Sequence, residues 1–398
     1  MKKSQTIIIT ILGLLMVWQT INQLPYSLHP HQDSWGLTDW LINYEGGFVR
    51  RGLGGTALLW VNGFTGFPAH YLAIGLSLVA YGGLVWWTMT HAKGHFSPLL
   101  LMSCLFLGFP AMQGTVVRKD CLLLLLLITC ARILVANRST GLRWTMINVT
   151  ASVGLLLHET FGFVALPALA LCSHLAIRES IPKRIGYLLP SFICLALVIL
   201  HHGNSSTALA IHKSWLPLWQ SSCPTHTDLA VPFSTIASIG WSLREGTALT
   251  KGILQTGIYQ PVAWVMVAMT SFILTLRFVR PDKTHDELAK ITGLLLLQFG
   301  SVLPLFLVGI DYGRWLNLCG MSAVVLYTFG FSAPIPSVLM IRRFAFLDRM
   351  LEMIRSIPRT EWLLLFFGIP ILWSAVNFIY ASPAGRILAE ILRFQSGR

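Results

Sequence analysis

The chain has 398 residues, 54% of them hydrophobic and only 11% charged. A water-soluble core cannot absorb that much apolar surface, so lipid must solvate most of the exterior and the class is a multi-pass membrane protein. The formal charge of +13 would direct a soluble protein toward nucleic acid, but here the basic residues sit in short segments between apolar runs. That placement argues against nucleic acid and makes membrane lipids their neighbours.

The amino terminus, MKKSQTIIITILGLLMVWQ, sets Lys2 and Lys3 before an apolar run, with no small-residue cleavage pattern ahead of Leu24 and Pro25. It reads as an uncleaved first helix with its amino end in the cytoplasm. A window of about 20 residues then predicts eleven helical spans, near 6–23, 69–89, 96–115, 121–135, 144–157, 161–177, 185–201, 258–278, 291–310, 316–331 and 362–380. The expected fold is therefore all-α, one polytopic bundle over residues 1–398. Residues 24–68 form the first external loop and residues 202–257 a large external loop. The stretch 144–177 is too long for one span and carries His158 and Glu159 at its middle, which predicts a tight outer turn. Near the carboxyl end, IRRFAFLDRMLEMIRSIPR has an apolar face and an arginine face, as in a helix lying in the interface.

With the amino end inside, eighteen of the twenty-nine basic residues fall in cytoplasmic segments, as the positive-inside rule requires. The exceptions are informative. Arg50, Arg51, Arg118, Lys119 and Arg314 fall outside, with the acids Asp120, Glu159 and Asp311. Four clusters, YEGGFVRRG, VRKD, HET and DYGRW, are thus expected to meet on one face at similar depth.

Several fixed cations beside a few carboxylates suit a lipid-linked sugar diphosphate. Arginine holds phosphate oxygens through a planar fork, and Arg50, Arg51, Arg118, Lys119 and Arg314 are the candidate diphosphate ligands. Gly46, Gly47, Gly52, Gly54 and Gly55 would let the backbone approach the phosphates. Glycosyl transfer also needs a base for the acceptor hydroxyl, for which His158, Glu159 and Glu45 are candidates. A base entering opposite the phosphate-binding element favours His158 or Glu159 over Glu45. Asp120, Asp311 and Tyr312 are candidates for orienting the substrate. Trp215, Trp219, Trp241, His202 and His226 suggest an aromatic cover over a glycan. No zinc site of the H-E-x-x-H kind is present, since position 162 is Gly, and no spacing predicts a metal, a cofactor or a disulfide. Each cluster also has a structural counterpart: Arg50 and Arg51 as interfacial anchors, VRKD as an ion pair at a helix start, HET as a polar turn, and DYGRW as a loop salt bridge.

The set EGGFVRRGL, RKD, LLLHETFGF and DYGRW resembles multispanning proteins of bacterial surface-polysaccharide clusters, the Wzy and EpsG-like polymerase group and the wider GT-C type of membrane glycosyltransferase. The resemblance implies an inner-membrane enzyme with its site facing the periplasm. Its substrate would be a polyprenyl-diphosphate-linked glycan, and its partners other polysaccharide-assembly proteins. In the GT-C type a catalytic acid lies in the first external loop, which would single out Asp33, Asp39 or Glu45. In the polymerases, external arginines and a histidine handle the diphosphate without a metal, which suits Arg50, Arg51, Arg118, Arg314 and His158. A transporter or flippase for an anionic lipid-linked substrate is the alternative, and it would show repeat symmetry or broken helices. A non-catalytic partner subunit is a third reading.

Overall fold

Runs of Leu, Ile, Val and Ala propagate helices, here even across Pro25, Pro167 and the Gly82–Gly83 pair. The computed structural model describes residues 3–30, 34–222, 231–255, 274, 285–334, 349, 360–370 and 381–395, and every regular element among them is helical. The one extended feature there is an isolated antiparallel bridge between Ser173 and Ser332. The expected span at 258–278, most of that at 362–380, and the interfacial helix near 341–359 lie outside the described residues, Leu274 and Arg349 apart.

In chain order the helices are α1 (Lys3–Leu28), α2 (Trp35–Trp40), α3 (Gly52–Thr65), α4 (Ala69–His91), α5 (Pro98–Met102), α6 (Gly108–Met112), α7 (Asp120–Val135), α8 (Thr140–Leu157) and α9 (Thr160–Leu171). There follow α10 (Ile181–Tyr187), α11 (Leu189–Leu200), α12 (Ser205–Ser214), α13 (Leu216–Ser222), α14 (Ser234–Ile239), α15 (Leu243–Gln255), α16 (His285–Val302), α17 (Leu305–Val308), α18 (Tyr312–Thr328) and α19 (Pro383–Gln395). Among the described residues, two helices are long and apolar enough to cross a membrane, Lys3–Leu28 and Ala69–Gly94, and the pair α10 and α11, bent by 58°, makes a third if taken as one span. The other bundle helices are shorter: α7, at 16 residues, reaches about 24 Å against a hydrocarbon core of roughly 30 Å. Leu14, Val17, Ile21, Val79, Trp86, Val149 and Leu200 point outward from the bundle, an apolar exterior that membrane association explains.

The segment 96–115 is not the continuous helix its composition predicts. It passes from the carboxyl end of α18, where Phe96 packs edge-on to Tyr327, to the amino end, where Arg118 meets Asp311, as two five-residue helices joined by turns. Pro98, Gly108 and Pro110 interrupt the hydrogen-bond ladder, and the residues from Leu99 to Met112 are buried or nearly so. Irregular backbone survives at membrane depth only where protein satisfies its polar groups. Here Asn317 Nδ2 donates to the Leu105 and Phe106 carbonyls at 2.9 and 3.0 Å, the Tyr81 hydroxyl to Leu107 at 2.7 Å, Gln23 Nε2 to Ala111 at 2.5 Å, and Arg386 to Met112 at 2.7 Å. Asn317→Leu leaves the buried Leu105 carbonyl without its donor and the Phe106 carbonyl with the Phe109 N–H alone, so it should lower unfolding free energy by about 1–3 kcal/mol. The midpoint of SDS-driven unfolding of the purified protein measures this, and an unchanged midpoint would show that the break does not depend on Asn317.

The described parts of 24–68 and 202–257 form a second core. Leu37, Trp40, Leu41 and Ile42 of the first pack against Ile211, Trp215, Trp219, Phe233, Ile236 and Ile239 of the second. Trp215 Nε1 donates to the Leu41 carbonyl at 2.7 Å, Asn43 Nδ2 to Ser214 Oγ at 2.8 Å, and the Thr235 hydroxyl to the Trp35 carbonyl at 2.7 Å. The carboxyl end of α1, through Leu24 and Leu28, packs against this same cluster. The amino end of α1 therefore lies at the opposite end of the bundle.

Candidate functional site

The site is built at helix ends. Asp120 opens α7, where a carboxylate also suits the helix dipole. His158 closes α8 and Glu159 caps the start of α9. Asp311 caps α18, and Arg314 sits in its first turn. Arg51 caps α3 in the left-handed region, φ 67°, a conformation rare for a residue with a Cβ. Asp39 belongs to α2, one residue before Trp40.

These side chains form one connected network. Arg51 holds the Glu159 carboxylate bidentately, its Nε donating to Oε1 and Oε2 at 3.1 and 2.8 Å and its terminal nitrogen to Oε1, while its other terminal nitrogen reaches Asp39 Oδ1 at 3.3 Å. Arg50 lies 3.6 Å from Glu159 Oε1 and donates to the Ser238 carbonyl at 3.2 Å. Arg314 holds Asp120 bidentately at 2.5 and 2.7 Å, Asp311 at 2.9 Å and His158 Nε2 at 3.2 Å. Arg118 shares Asp311 Oδ2 at 2.7 Å. The expected convergence of the four motifs is thus present. Five cations face four carboxylates, so the network is close to balanced rather than strongly basic.

Lys119 faces inward. Fully buried, it donates to the carbonyls of Asp39 at 2.7 Å, Leu157 at 3.1 Å and Arg51 at 3.4 Å, and lies over the Trp40 ring. An ammonium has three protons and all three are used, so Lys119 positions the site and is not presented to a diphosphate as expected. The glycines also serve packing. A Cβ at Gly55 would collide with the Ile42 carbonyl oxygen, one at Gly52 with the Tyr44 ring, and one at Gly46 would press on Thr207 of α12.

The candidate bases are engaged. Both nitrogens of His158 face donors, the Arg314 guanidinium at Nε2 and the Thr160 N–H at 3.2 Å from Nδ1, and a neutral imidazole accepts at only one of them. The tautomer that accepts from Arg314 at Nε2 carries its proton on Nδ1, 3.5 Å from Glu159 Oε2, and the other tautomer accepts from the Thr160 N–H. Burial, reinforced by Arg51, pushes His158 well below its ordinary pKa. Burial alone would raise Glu159, but Arg51, His158 and Arg50 hold it well below the usual carboxylate range. Both candidate bases are therefore held by arginines, His158 by Arg314 and Glu159 by Arg51. Glu45 is exposed and has no contact with the network, its N–H held by Asn43 Oδ1 at 3.1 Å. Tyr312 is a core residue, its ring stacked on Phe306.

Asp39 is the acid of the first loop that the structure brings in, while Asp33 lies outside the described residues. Burial opposes its ionisation, yet Lys119, His158 and Arg51 together keep it below the usual range. Its Oδ1 accepts from Arg51, whereas Oδ2 accepts no hydrogen bond and faces Lys119 Nζ at 3.6 Å. A signal was present in WGLTDWLI, where an acid is set among residues that turn out buried. Of the residues expected to form an aromatic cover, Trp215 and Trp219 are buried in the second core, with Trp219 stacked on His212, while Trp241 and His202 are exposed and His226 lies outside the described residues.

Among the described residues no group of three or more His, Cys, Asp or Glu side chains is placed to hold a metal ion. No protein-family model, curated protein or solved structure matches this chain.

Proposed function

We propose that this chain is a membrane glycosyltransferase or polymerase of surface-polysaccharide synthesis, acting on a polyprenyl-diphosphate-linked sugar or oligosaccharide. The proposal places it in the bacterial inner membrane, spanning about eleven times with its amino end in the cytoplasm and its site facing the periplasm. The observation that carries the reading is the single network in which His158 bridges Asp39, Arg50, Arg51 and Glu159 to Arg118, Asp120, Asp311 and Arg314 at one end of the bundle, opposite the amino end of α1. Arg50, Arg51 and Arg118, which keep partial exposure at its rim, are the groups that meet the diphosphate. Asp39, whose Oδ2 accepts no hydrogen bond, joins His158 and Glu159 as a candidate for the group that receives the acceptor proton.

Deletion of the gene followed by analysis of surface glycan length tests this. A polymerase leaves one repeat unit on the carrier, and a side-branch transferase leaves long chains lacking one sugar; unaltered glycan defeats both. Asp39→Asn is expected to reproduce the deletion with normal protein level, and full glycan in that variant removes Asp39 from the role.

The broken traverse at 98–112 favours a second reading, a transporter or flippase for an anionic lipid-linked substrate, since interrupted helices are what such proteins build around a substrate path. Deletion would then leave complete lipid-linked glycan on the cytoplasmic side, shielded from a membrane-impermeant glycosidase.

A further inference from the structure

Two arginine forks here are filled by carboxylates, and the pairs differ in access. The difference lies in the arginines: Arg314 is 5% exposed, against 16% for Arg51 and 24% for Arg50, while Asp120 and Glu159 are alike at 10% and 13%. At the outer pair two guanidiniums on adjacent residues converge on a single carboxylate, since Arg50 also lies 3.6 Å from Glu159 Oε1. Arg50 Nε is buried there and meets no acceptor. The orientation of the Arg51 backbone does not depend on Glu159, because Lys119 holds the Arg51 carbonyl and Gly55 seats α3 against Ile42. Glu159 has a second neighbour to turn toward, His158 Nδ1 at 3.5 Å. A carboxylate and a phosphate present the same pair of oxygens to a guanidinium fork.

We propose that Glu159 is an internal stand-in for a phosphate group: it occupies the Arg50 and Arg51 cradle in the ligand-free protein and must leave before a phosphate or diphosphate binds. This rests on the reading of Arg50 and Arg51 as phosphate ligands. Apparent affinity is then reduced by the fraction of molecules in which the cradle is open, and removing the stand-in restores it.

The test is titration of the full chain in phosphatidylcholine nanodiscs with inorganic pyrophosphate, followed by calorimetry. Glu159→Gln should tighten binding by about tenfold. Glu159→Asp keeps the charge but falls one methylene short of the fork, so it should tighten binding to a lesser degree; it also serves if Glu159→Gln does not fold. Tightening by Glu159→Gln with Glu159→Asp behaving as wild type would mean simple charge removal and overturn the stand-in. Equal affinity in all three proteins would overturn the stand-in while sparing the phosphate reading, and no binding by any folded form would overturn both. Repeating the titration with phosphatidic acid in the nanodiscs identifies the source. Competition with pyrophosphate assigns the cradle to a lipid phosphate headgroup, lack of it to the diphosphate, and either result keeps the stand-in.

Discussion

Lys119→Met should lower the unfolding free energy of this protein by about 3–5 kcal/mol and disperse the network it underlies. Its ammonium ties together the carbonyls of Asp39 in α2, Arg51 at the start of α3 and Leu157 at the end of α8, all within a fully buried setting. Methionine fills similar volume but donates nothing, so three carbonyls lose a donor and Asp39 loses its nearest cation on the Oδ2 side. Each stranded group costs about 1–3 kcal/mol, partly recovered where water can enter. Arg51 would also lose the contact that holds its left-handed backbone, a conformation costing roughly 1 kcal/mol or more for a non-glycine residue. SDS-driven unfolding and surface glycan length are the two measurements. A variant of wild-type stability that still makes normal glycan would show that the three carbonyls are satisfied by something other than Lys119.

That role separates what the sequence makes legible from what it hides. The helical class followed from composition, and the meeting of four motifs followed from placing each beside a span end. The direction of a side chain did not. Arg118 and Lys119 are neighbours in VRKD, yet one points to Asp311 at the rim and the other into the core, a divergence in the turn that leads into α7 that charge counting cannot see. Glu45 and Asp39 are acids in the same loop, and the exposed glycine-flanked one attracted attention while the one between Thr38 and Trp40 entered the network. Its neighbours Leu37, Thr38, Trp40, Leu41 and Ile42 are all buried, which requires the segment 202–257 as a partner. A pairing across so many residues leaves no local trace. The break at 98–112 was likewise hidden, because hydropathy averages over Pro98, Gly108 and Pro110, and the donors that make the break tolerable come from α1, α4, α18 and α19.

The pair Arg314 and Asp120 allows stability and function to be separated. Arg314→Met alone should destabilise by about 3–5 kcal/mol, since it strands the buried Asp120 carboxylate and leaves Asp311 with Arg118 alone. Adding Asp120→Leu removes the stranded charge, and well-packed apolar residues often match or exceed a buried ion pair in stability. The double variant should therefore recover most of the loss in SDS-driven unfolding. It should not recover glycan synthesis, because Arg314 also holds His158 Nε2 and Asp311, and with them the placement of Glu159 and Arg118 around the rim. Recovery of both stability and glycan would reduce Arg314 to a structural ion pair and leave the chemistry to Arg50, Arg51 and Asp39. Failure to recover stability would mean instead that His158 and Asp311 depend on the guanidinium more than Asp120 does, and the single variants His158→Ala and Asp311→Asn would then show the larger losses.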